Sequence, residues 1–218
     1  MAEEGSVSAR IVRAIVRGLH EGAYAPGQRL AEPEIMSKYG VSRSTARESI
    51  RRMESEGLVT VHAHRGATIR RMSAGEALDA LRVMELCIGL AARQAAERIG
   101  QGEGRARLEQ AWAELQRFRD LPDTYDFVAA RNRFYRAITE GSGNQELRRI
   151  VPSIHVHLIR RDYPLSGPAR FADYAAMAGA ILAGEAEHAE KAARRHIARI
   201  AALAAANLAK RQETVNGR

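Results

Sequence analysis

The chain of 218 residues carries a formal net charge of +8, with 45% hydrophobic and 28% charged residues. This balance is typical of a folded globular protein and excludes collagen-like, proline-rich and wholly disordered classes. A single cysteine excludes a disulfide framework and a cysteine-rich zinc module. Because no segment reaches the roughly 20 apolar residues of a membrane span, and the first residues are acidic, we predict a cytoplasmic protein with no membrane partner.

The excess of positive charge suggests a polyanionic partner but does not locate its site. Residues 1–72 carry 12 basic and 8 acidic side chains, and residues 73–218 carry 22 and 18. The two parts therefore have the same net charge of +4. Only the positions of the basic residues can indicate a nucleic-acid site.

Apolar residues in the first 56 positions recur at the spacing of three short helices. The first helix covers about residues 8–19, and the second, residues 32–39, ends at Gly40. Ser42 can cap the third helix, which runs to about Glu56 and ends at a glycine. The spacing predicts a small, compact helical unit.

Strand-like alternation replaces the helical spacing after Gly57. Residues 58–62 and 67–70 flank the turn-forming segment Ala63-His64-Arg65-Gly66, which predicts a β-hairpin. Three helices followed by a hairpin is the order of a winged helix-turn-helix. Because that architecture also serves as a protein-protein module, the residues of the third helix must distinguish the two uses.

The third helix has an apolar face and a basic face. At 100° per residue, Arg43, Arg47 and Arg51 form a stripe about 90° from the apolar positions. Arginine can pair with guanine O6 and N7, short hydroxyls reach phosphates or base edges, and a helix N-terminus attracts phosphate. The alternative is a solvated arginine face, which an ion pair between Glu48 and Arg52 would support. The helix cap and the basic hairpin tip favour DNA contact.

This region also carries a family resemblance, in the segments YAPGQRL (24–30), GVSRSTARESI (40–50) and EGLV (56–59). They resemble the DNA-binding domain of the GntR superfamily of bacterial transcription regulators. The resemblance implies that the third helix meets the major groove of double-stranded operator DNA and that the hairpin tip enters the minor groove. Pro33 departs from the family pattern, at a position where relatives often place a polar or basic residue on DNA. The residues implied to contact DNA are Arg43, Ser44, Thr45 and Arg47 on the helix and His64, Arg65 and Gly66 at the tip.

Beyond the hairpin the chain shows helical spacing and no strand signal. We predict a mainly α protein in which residues 1–72 form a winged helix-turn-helix domain, residues 73–76 a linker, residues 77–210 an all-α bundle of about six helices and residues 211–218 a flexible tail. The predicted helices of the bundle cover about residues 76–99, 105–119, 123–140, 144–163, 171–183 and 185–210.

The bundle resembles the effector-binding and dimerisation domain of FadR-type regulators, called FCD. Residues 132–138, 141–144 and 180–197 carry this resemblance. It implies a homodimer whose two recognition helices read an inverted repeat. The predicted function is a ligand-responsive transcription regulator of the repressor type.

Many FCD relatives hold a divalent metal with an aspartate, a histidine four residues later and two further histidines. The corresponding residues here are Arg131, Tyr135, Tyr174 and His196. Because arginine repels a metal ion and tyrosine is a poor ligand at neutral pH, no metal cofactor is predicted. The same four side chains suit a small carboxylate effector, with Arg82 as a weaker candidate for the same pocket. The alternative is a buried polar cluster that holds no ligand.

An enzyme and a nonspecific, nucleoid-like DNA-binding protein are the competing function classes. The sequence lacks a glycine-rich phosphate loop, a nucleophile elbow and a His-Glu-x-x-His pair, and Cys87 lies in an apolar helical segment. A nucleoid-like protein would need no effector bundle, and its affinities for operator and random DNA would be equal. His155 and His157 do not share a helix face, so we predict structural or surface roles for them.

Overall fold

A computed structural model describes residues 5–62, 66–121, 124–153 and 167–216. The chain divides into two compact units, Met1–Arg71 and Met72–Arg218, which are described separately below. Within the described residues, no helix has the length and apolar character needed to cross a membrane.

The first unit contains the three predicted helices and a small antiparallel sheet. Its helices are α1 (Val7–His20), α2 (Glu32–Tyr39) and α3 (Arg43–Ser55), and its strands are β1 (Arg29–Leu30), β2 (Val59–His62) and β3 (Gly66–Ile69). The strand order is β1-β3-β2, with Arg29 opposite Thr68 and Val59 opposite Ile69. The predicted hairpin is confirmed, whereas β1 was not predicted because two residues are too short to show alternation.

Local signals in the sequence set the ends of α3. The hydroxyl of Ser42 accepts a hydrogen bond from the backbone N–H of Thr45 at 3.3 Å, and Gly40 ends α2 with a φ of 62°. The left-handed conformation at Gly40 is one that glycine adopts without a steric cost. Ala46, Ile50 and Met53 are buried, and α1 packs against this face. The opposite face of α3 is left exposed.

All regular structure in the described part of the second unit is helical. The six helices are α4 (Ala74–Glu97), α5 (Gly104–Gln116), α6 (Tyr125–Gly141), α7 (Gln145–Ser153), α8 (Gly167–Leu182) and α9 (Ala186–Asn216). α9 packs against α4 and α8, and α5 packs against α6. The predicted mainly α fold class is confirmed. The predicted fourth helix of the bundle, residues 144–163, extends beyond the described residues.

Two helix ends in this unit differ from the predicted ones. Residues 73–76 were predicted as a linker, but Ser73 is the N-cap of α4 and Glu76 lies in its first turn. The Ser73 hydroxyl accepts from the Glu76 N–H, while the Glu76 carboxylate accepts from the Ser73 N–H at 2.8 Å. This capping box satisfies two backbone donors and starts the helix earlier than its apolar spacing does. α9 continues to Asn216 and so includes most of the predicted tail, residues 211–218.

Ion pairs and a close side-chain contact at Gly89 join α4 to α9. Arg194 donates to Glu85 at 3.2 Å, and Arg93 donates to Glu190 at 3.2 Å. A Cβ on Gly89 would lie 2.6 Å from the Cγ atom of Arg194, so only glycine lets this side chain cross α4 unhindered. The alignment of these two long helices brings the last helix of the chain into the core of the bundle.

Candidate DNA-recognition surface and effector site

The N-terminal end of α3 presents a group of hydroxyls around its cap. The Oγ atom of Ser42 lies 2.8 Å from that of Ser44 and 3.0 Å from the Oγ1 atom of Thr45. Ser44 is exposed and Thr45 is partly buried. Backbone N–H groups at a helix start attract phosphate oxygens, and these hydroxyls lie at the same end of the helix.

Two exposed arginines flank these hydroxyls on the same face of α3. The side chains of Arg43 and Arg47 are 74% and 56% exposed, and the Nε atoms of both donate to the carboxylate of Glu32, at 2.9 and 3.1 Å. These hydrogen bonds, first from Arg43 and then from Arg47, lower the pKa of Glu32. The structure therefore brings the four predicted α3 residues to one exposed helix end, beside an acid from α2.

Glu48 and Arg52, two other charged residues of α3, form contacts within the first unit. Ser8 on α1 donates to the carboxylate of Glu48 at 2.6 Å, and Arg52 donates to Glu56 at 3.0 Å. Pro33 lies in the first turn of α2, where its missing N–H has no helical partner to lose.

The root of the hairpin is described, but most of its tip is not. Gly66 has a φ of 80°, and a Cβ there would lie 3.2 Å from the carbonyl oxygen of Leu30. A side chain at this position would therefore strain the pairing of β1 with β3. The predicted DNA contacts His64 and Arg65 lie outside the described residues, as do His155 and His157.

Three helices of the second unit converge on a buried group of aromatic and polar side chains. The ring of Tyr174 on α8 lies 6.3 Å from that of Tyr135 on α6 and 4.8 Å from the imidazole of His196 on α9. Arg131 precedes Tyr135 by one turn of α6 and is 1% exposed. We call these four residues the polar cluster. The structure thus brings the rings of Tyr135, Tyr174 and His196 together, with Arg131 on the adjoining turn.

A carboxylate that was not predicted supports the polar cluster. The Nδ1 atom of His196 lies 3.2 Å from Oδ2 of buried Asp173, and Arg199 donates to the same oxygen at 3.1 Å. Burial by itself would raise the pKa of Asp173, but the hydrogen bond to His196 and the charges of Arg199 and Arg195 outweigh burial and lower it. The ionised carboxylate therefore orients the imidazole.

A second buried arginine was also not predicted. The guanidinium of Arg170, in the first turn of α8, lies 4.1 Å above the centroid of the Phe127 ring and 5.3 Å from that of Phe171. Phe127 precedes Arg131 by one turn of α6, and Arg170 precedes Tyr174 by one turn of α8. These i,i+4 relations, present in the sequence, were the signals that could have identified Arg170. Both arginines therefore lie where α6 packs near α8.

Arg82 lies outside the polar cluster, so the structure does not bring it together with the other four residues predicted to bind the effector. Its side chain is 67% exposed and pairs with Asp79 at 3.1 Å. The core face of α4 is formed by Leu81 and by the residues at helical spacing from it, among them Met84 and Ile88. Residue 82 follows Leu81 by about 100° on the helix and points away from this face.

Both units match known families. Residues 7–69 match the family described as bacterial regulatory proteins, gntR family, and residues 76–199 match the FCD domain. The chain belongs to the GntR family and carries an FCD domain. It is therefore a transcriptional regulator with a DNA-binding domain followed by an effector-binding domain, as the family resemblance implied.

Curated relatives of this GntR regulator are also regulators rather than enzymes. It is 24% identical over 202 residues to the "Probable D-xylose utilization operon transcriptional repressor" of Paenarthrobacter nicotinovorans, covering 88% of this chain and 86% of that protein. It is 24% identical over 134 residues to the transcriptional repressor RspR of Escherichia coli, covering 62% of this chain and 58% of that protein. The prediction that the chain is not an enzyme is confirmed. Burial raises the pKa of the Cys87 thiol, which makes it a weak nucleophile.

Solved structures share the fold of this GntR regulator. McbR/YncC of E. coli superposes with a TM-score of 0.72 at 19% identity, covering 95% of this chain and 99% of that chain. A GntR transcriptional regulator from Rhodococcus sp. RHA1 superposes with a TM-score of 0.73 at 18% identity, covering 91% and 97%. At these identities the likeness concerns the fold alone.

Proposed function

We propose that this GntR-family regulator is a cytoplasmic, nucleoid-associated repressor that binds an inverted-repeat operator as a homodimer and responds to a small carboxylate. The observation that carries the DNA-binding part is the exposed end of α3, where Arg43 and Arg47 flank Ser44 and Thr45. The guanidinium of arginine can donate two hydrogen bonds to the edge of a guanine, and the hydroxyls can bind phosphates or base edges. Arg65, at the hairpin tip, is proposed to add a phosphate contact.

An exposed apolar stripe on α4 supports the proposed homodimer. Val83, Leu86 and Leu90 follow one another at i, i+3 and i+7 and are 50%, 59% and 42% exposed. The opposite face of α4 is already in the core, so this stripe is a second apolar face of the same helix. A two-fold pairing of α4 with its copy would cover the stripe and give a dimer that contains two α3 helices, one for each half of a palindrome.

The charges in the FCD core support an anionic effector. Among the described buried residues, the arginines are Arg131 and Arg170 and the acid is Asp173, which is engaged with His196 and Arg199. Each of these guanidinium groups has five N–H donors, so it can bind a carboxylate in addition to its partners within the protein. The phenol of Tyr135 or Tyr174 would supply a neutral hydrogen bond. This set of hydrogen-bond donors suits an anionic ligand better than a cationic one.

We propose that the effector site works without a divalent metal. The set Arg131, Tyr135, Tyr174 and His196 does not fit such an ion, because it includes a guanidinium and contains one good ligand. Arg131 would supply the positive charge that a metal would otherwise supply. Purified protein should contain far less than one equivalent of transition metal per chain, and chelator treatment should leave DNA binding and the effector response unchanged. Stoichiometric metal, or a response that chelation abolishes, would overturn this part of the proposal.

Two measurements test the proposed function. Selection of duplexes from a random pool should enrich an inverted repeat, and the affinity for that repeat should exceed the affinity for random DNA by about 10³-fold or more. Equal affinities would instead identify a nonspecific nucleoid-like protein.

A thermal-shift screen of small carboxylates and sugar acids tests the effector class. A ligand that binds only the folded state raises the melting temperature. D-xylose, suggested by the name of the Paenarthrobacter relative, is the neutral comparator. If the neutral sugar shifts the melting temperature and no acid does, the carboxylate class is wrong.

A further inference from the structure

We propose that Glu32 is a positioning residue for DNA recognition, which holds Arg43 and Arg47 in one arrangement and increases selectivity at the cost of nonspecific affinity. The proposal rests on the proposed contact of α3 with DNA and adds a residue from α2 that touches no base. It explains why an acid lies on a surface that must approach a polyanion.

The geometry joins one carboxylate to two arginines through different oxygens. The Nε atom of Arg43 donates to Oε2 of Glu32 at 2.9 Å, and the Nε atom of Arg47 donates to Oε1 at 3.1 Å. Because each guanidinium has five N–H donors, the two Nη groups of each arginine still have donors for other acceptors. The Nη pair is one edge with which arginine can form a bidentate contact to guanine.

Glu32 is itself held in place and kept ionised. It is the first residue of α2, where the helix dipole favours a negative charge, and its side chain is 22% exposed. The neighbouring acid Glu34 accepts from the backbone N–H of Ala31 at 3.4 Å. The cap of α2 therefore uses Glu34, which leaves both oxygens of Glu32 for the arginines.

This arrangement has two opposite consequences for DNA binding. Arginines that are already fixed lose less conformational entropy when they meet a base, which favours the correct sequence. The carboxylate also cancels part of the positive charge and repels phosphates, which weakens nonspecific binding. Removal of Glu32 should therefore strengthen binding to random DNA and reduce the preference for the operator.

The test compares Glu32→Gln with Glu34→Gln in the full-length protein. Both variants remove one negative charge from the first turn of α2, but only Glu32 contacts the arginines. Affinities are measured for the duplex selected by the wild type and for random duplex of the same length, across a range of salt concentrations. For Glu32→Gln we expect several-fold tighter binding to random DNA, a fall of about tenfold in the operator-to-random ratio and a steeper salt dependence. Glu34→Gln should keep the wild-type ratio.

A second variant separates position from charge. Glu32→Asp keeps the charge but shortens the side chain, so one carboxylate no longer reaches both arginines. Its operator-to-random ratio should also fall, and duplex selection with this variant should show weaker base preference at the positions that the wild type specifies most strongly. Melting temperatures report whether the variants fold.

The outcomes distinguish the role of Glu32 from the proposed recognition of an operator by α3. A wild-type ratio in folded Glu32→Gln and Glu32→Asp would overturn the role of Glu32 while leaving operator recognition intact. An equal fall in Glu34→Gln would also overturn it, because charge alone would then explain the effect. A wild-type protein that shows no sequence preference would overturn both the proposed function and the inference.

Discussion

Arginine occupies two opposite environments in this chain. On α3, the guanidinium groups of Arg43 and Arg47 are largely exposed and share an acid. In the FCD core, Arg131 and Arg170 are almost fully buried, and one of them lies over an aromatic ring. Exposed guanidinium groups suit an extended polyanion such as DNA, whereas the buried ones are proposed to bind a small anion, in a site of low dielectric constant.

Replacement of Arg47 tests the DNA-recognition surface. Arg47→Ala should weaken operator binding by about 1 to 3 kcal/mol if the side chain makes a bidentate base contact. Folding should change little because the side chain is exposed. Arg52→Ala is the matched control, since Arg52 lies on the same helix and pairs with Glu56. Operator affinity equal to that of the wild type would remove Arg47 from the contact surface.

Replacement of Arg131 tests the effector site. Arg131→Met keeps much of the side-chain volume and removes the charge, so the rise in melting temperature caused by the best acid of the screen should disappear. A charge-assisted hydrogen bond is worth about 1.5 to 3 kcal/mol. Operator binding should persist. Arg133→Ala is the control, because Arg133 lies on the exposed side of α6 and pairs with Glu114. This variant should show the same rise in melting temperature as the wild type. An undiminished rise in Arg131→Met would refute the role of Arg131 in binding the effector.

Only some of the individual residues of the candidate sites could be predicted from the sequence. Tyr135, Tyr174 and His196 converge as the family resemblance implies, because the relative positions of the helices are retained. Asp173 and Arg170 were missed because neither belongs to a recognised motif, and the i,i+4 relation of Arg170 to Tyr174 indicates a shared helix face but not the partner on another helix. Arg82 was predicted near these residues, but it lies on the exposed side of α4, where it pairs with Asp79.

At the scale of elements, α4 combines two apolar faces on one helix. One face packs in the bundle, and the other carries the exposed stripe of Val83, Leu86 and Leu90. The helical spacing of apolar residues predicted most of the helices, because apolar positions recur over several turns of each one. It did not predict β1, which is too short, or the start of α4, which depends on the hydrogen bonds of Ser73 rather than on apolar residues.

A charge in the exposed stripe tests the dimer. Leu86→Asp should give a monomer at micromolar concentration by light scattering, because an acid facing its symmetry copy replaces an apolar contact worth about 1.5 to 3 kcal/mol. Binding should then fall to that of a single half-site. Leu121→Asp changes a similarly exposed leucine outside the stripe and should remain dimeric. If Leu86→Asp is still a dimer, another surface pairs the chains.

At the scale of the whole molecule, recognition and sensing are assigned to separate units. The GntR match, residues 7–69, falls within Met1–Arg71, and the FCD match, residues 76–199, falls within Met72–Arg218. The change from strand-like to helical spacing indicated this division. The predicted boundary included residues 73–76 as a linker because serine and glycine are common in loops as well as at helix starts.

The two compact units have a calorimetric consequence. A chain with two separate cores need not unfold as one cooperative system, so we expect a heat-capacity scan to contain two overlapping transitions. An effector held by the polar cluster stabilises only the unit that binds it, and its addition should move the transition of Met72–Arg218 while that of Met1–Arg71 stays in place. Operator DNA should do the reverse. A single transition that both ligands shift equally would show that the two units melt as one.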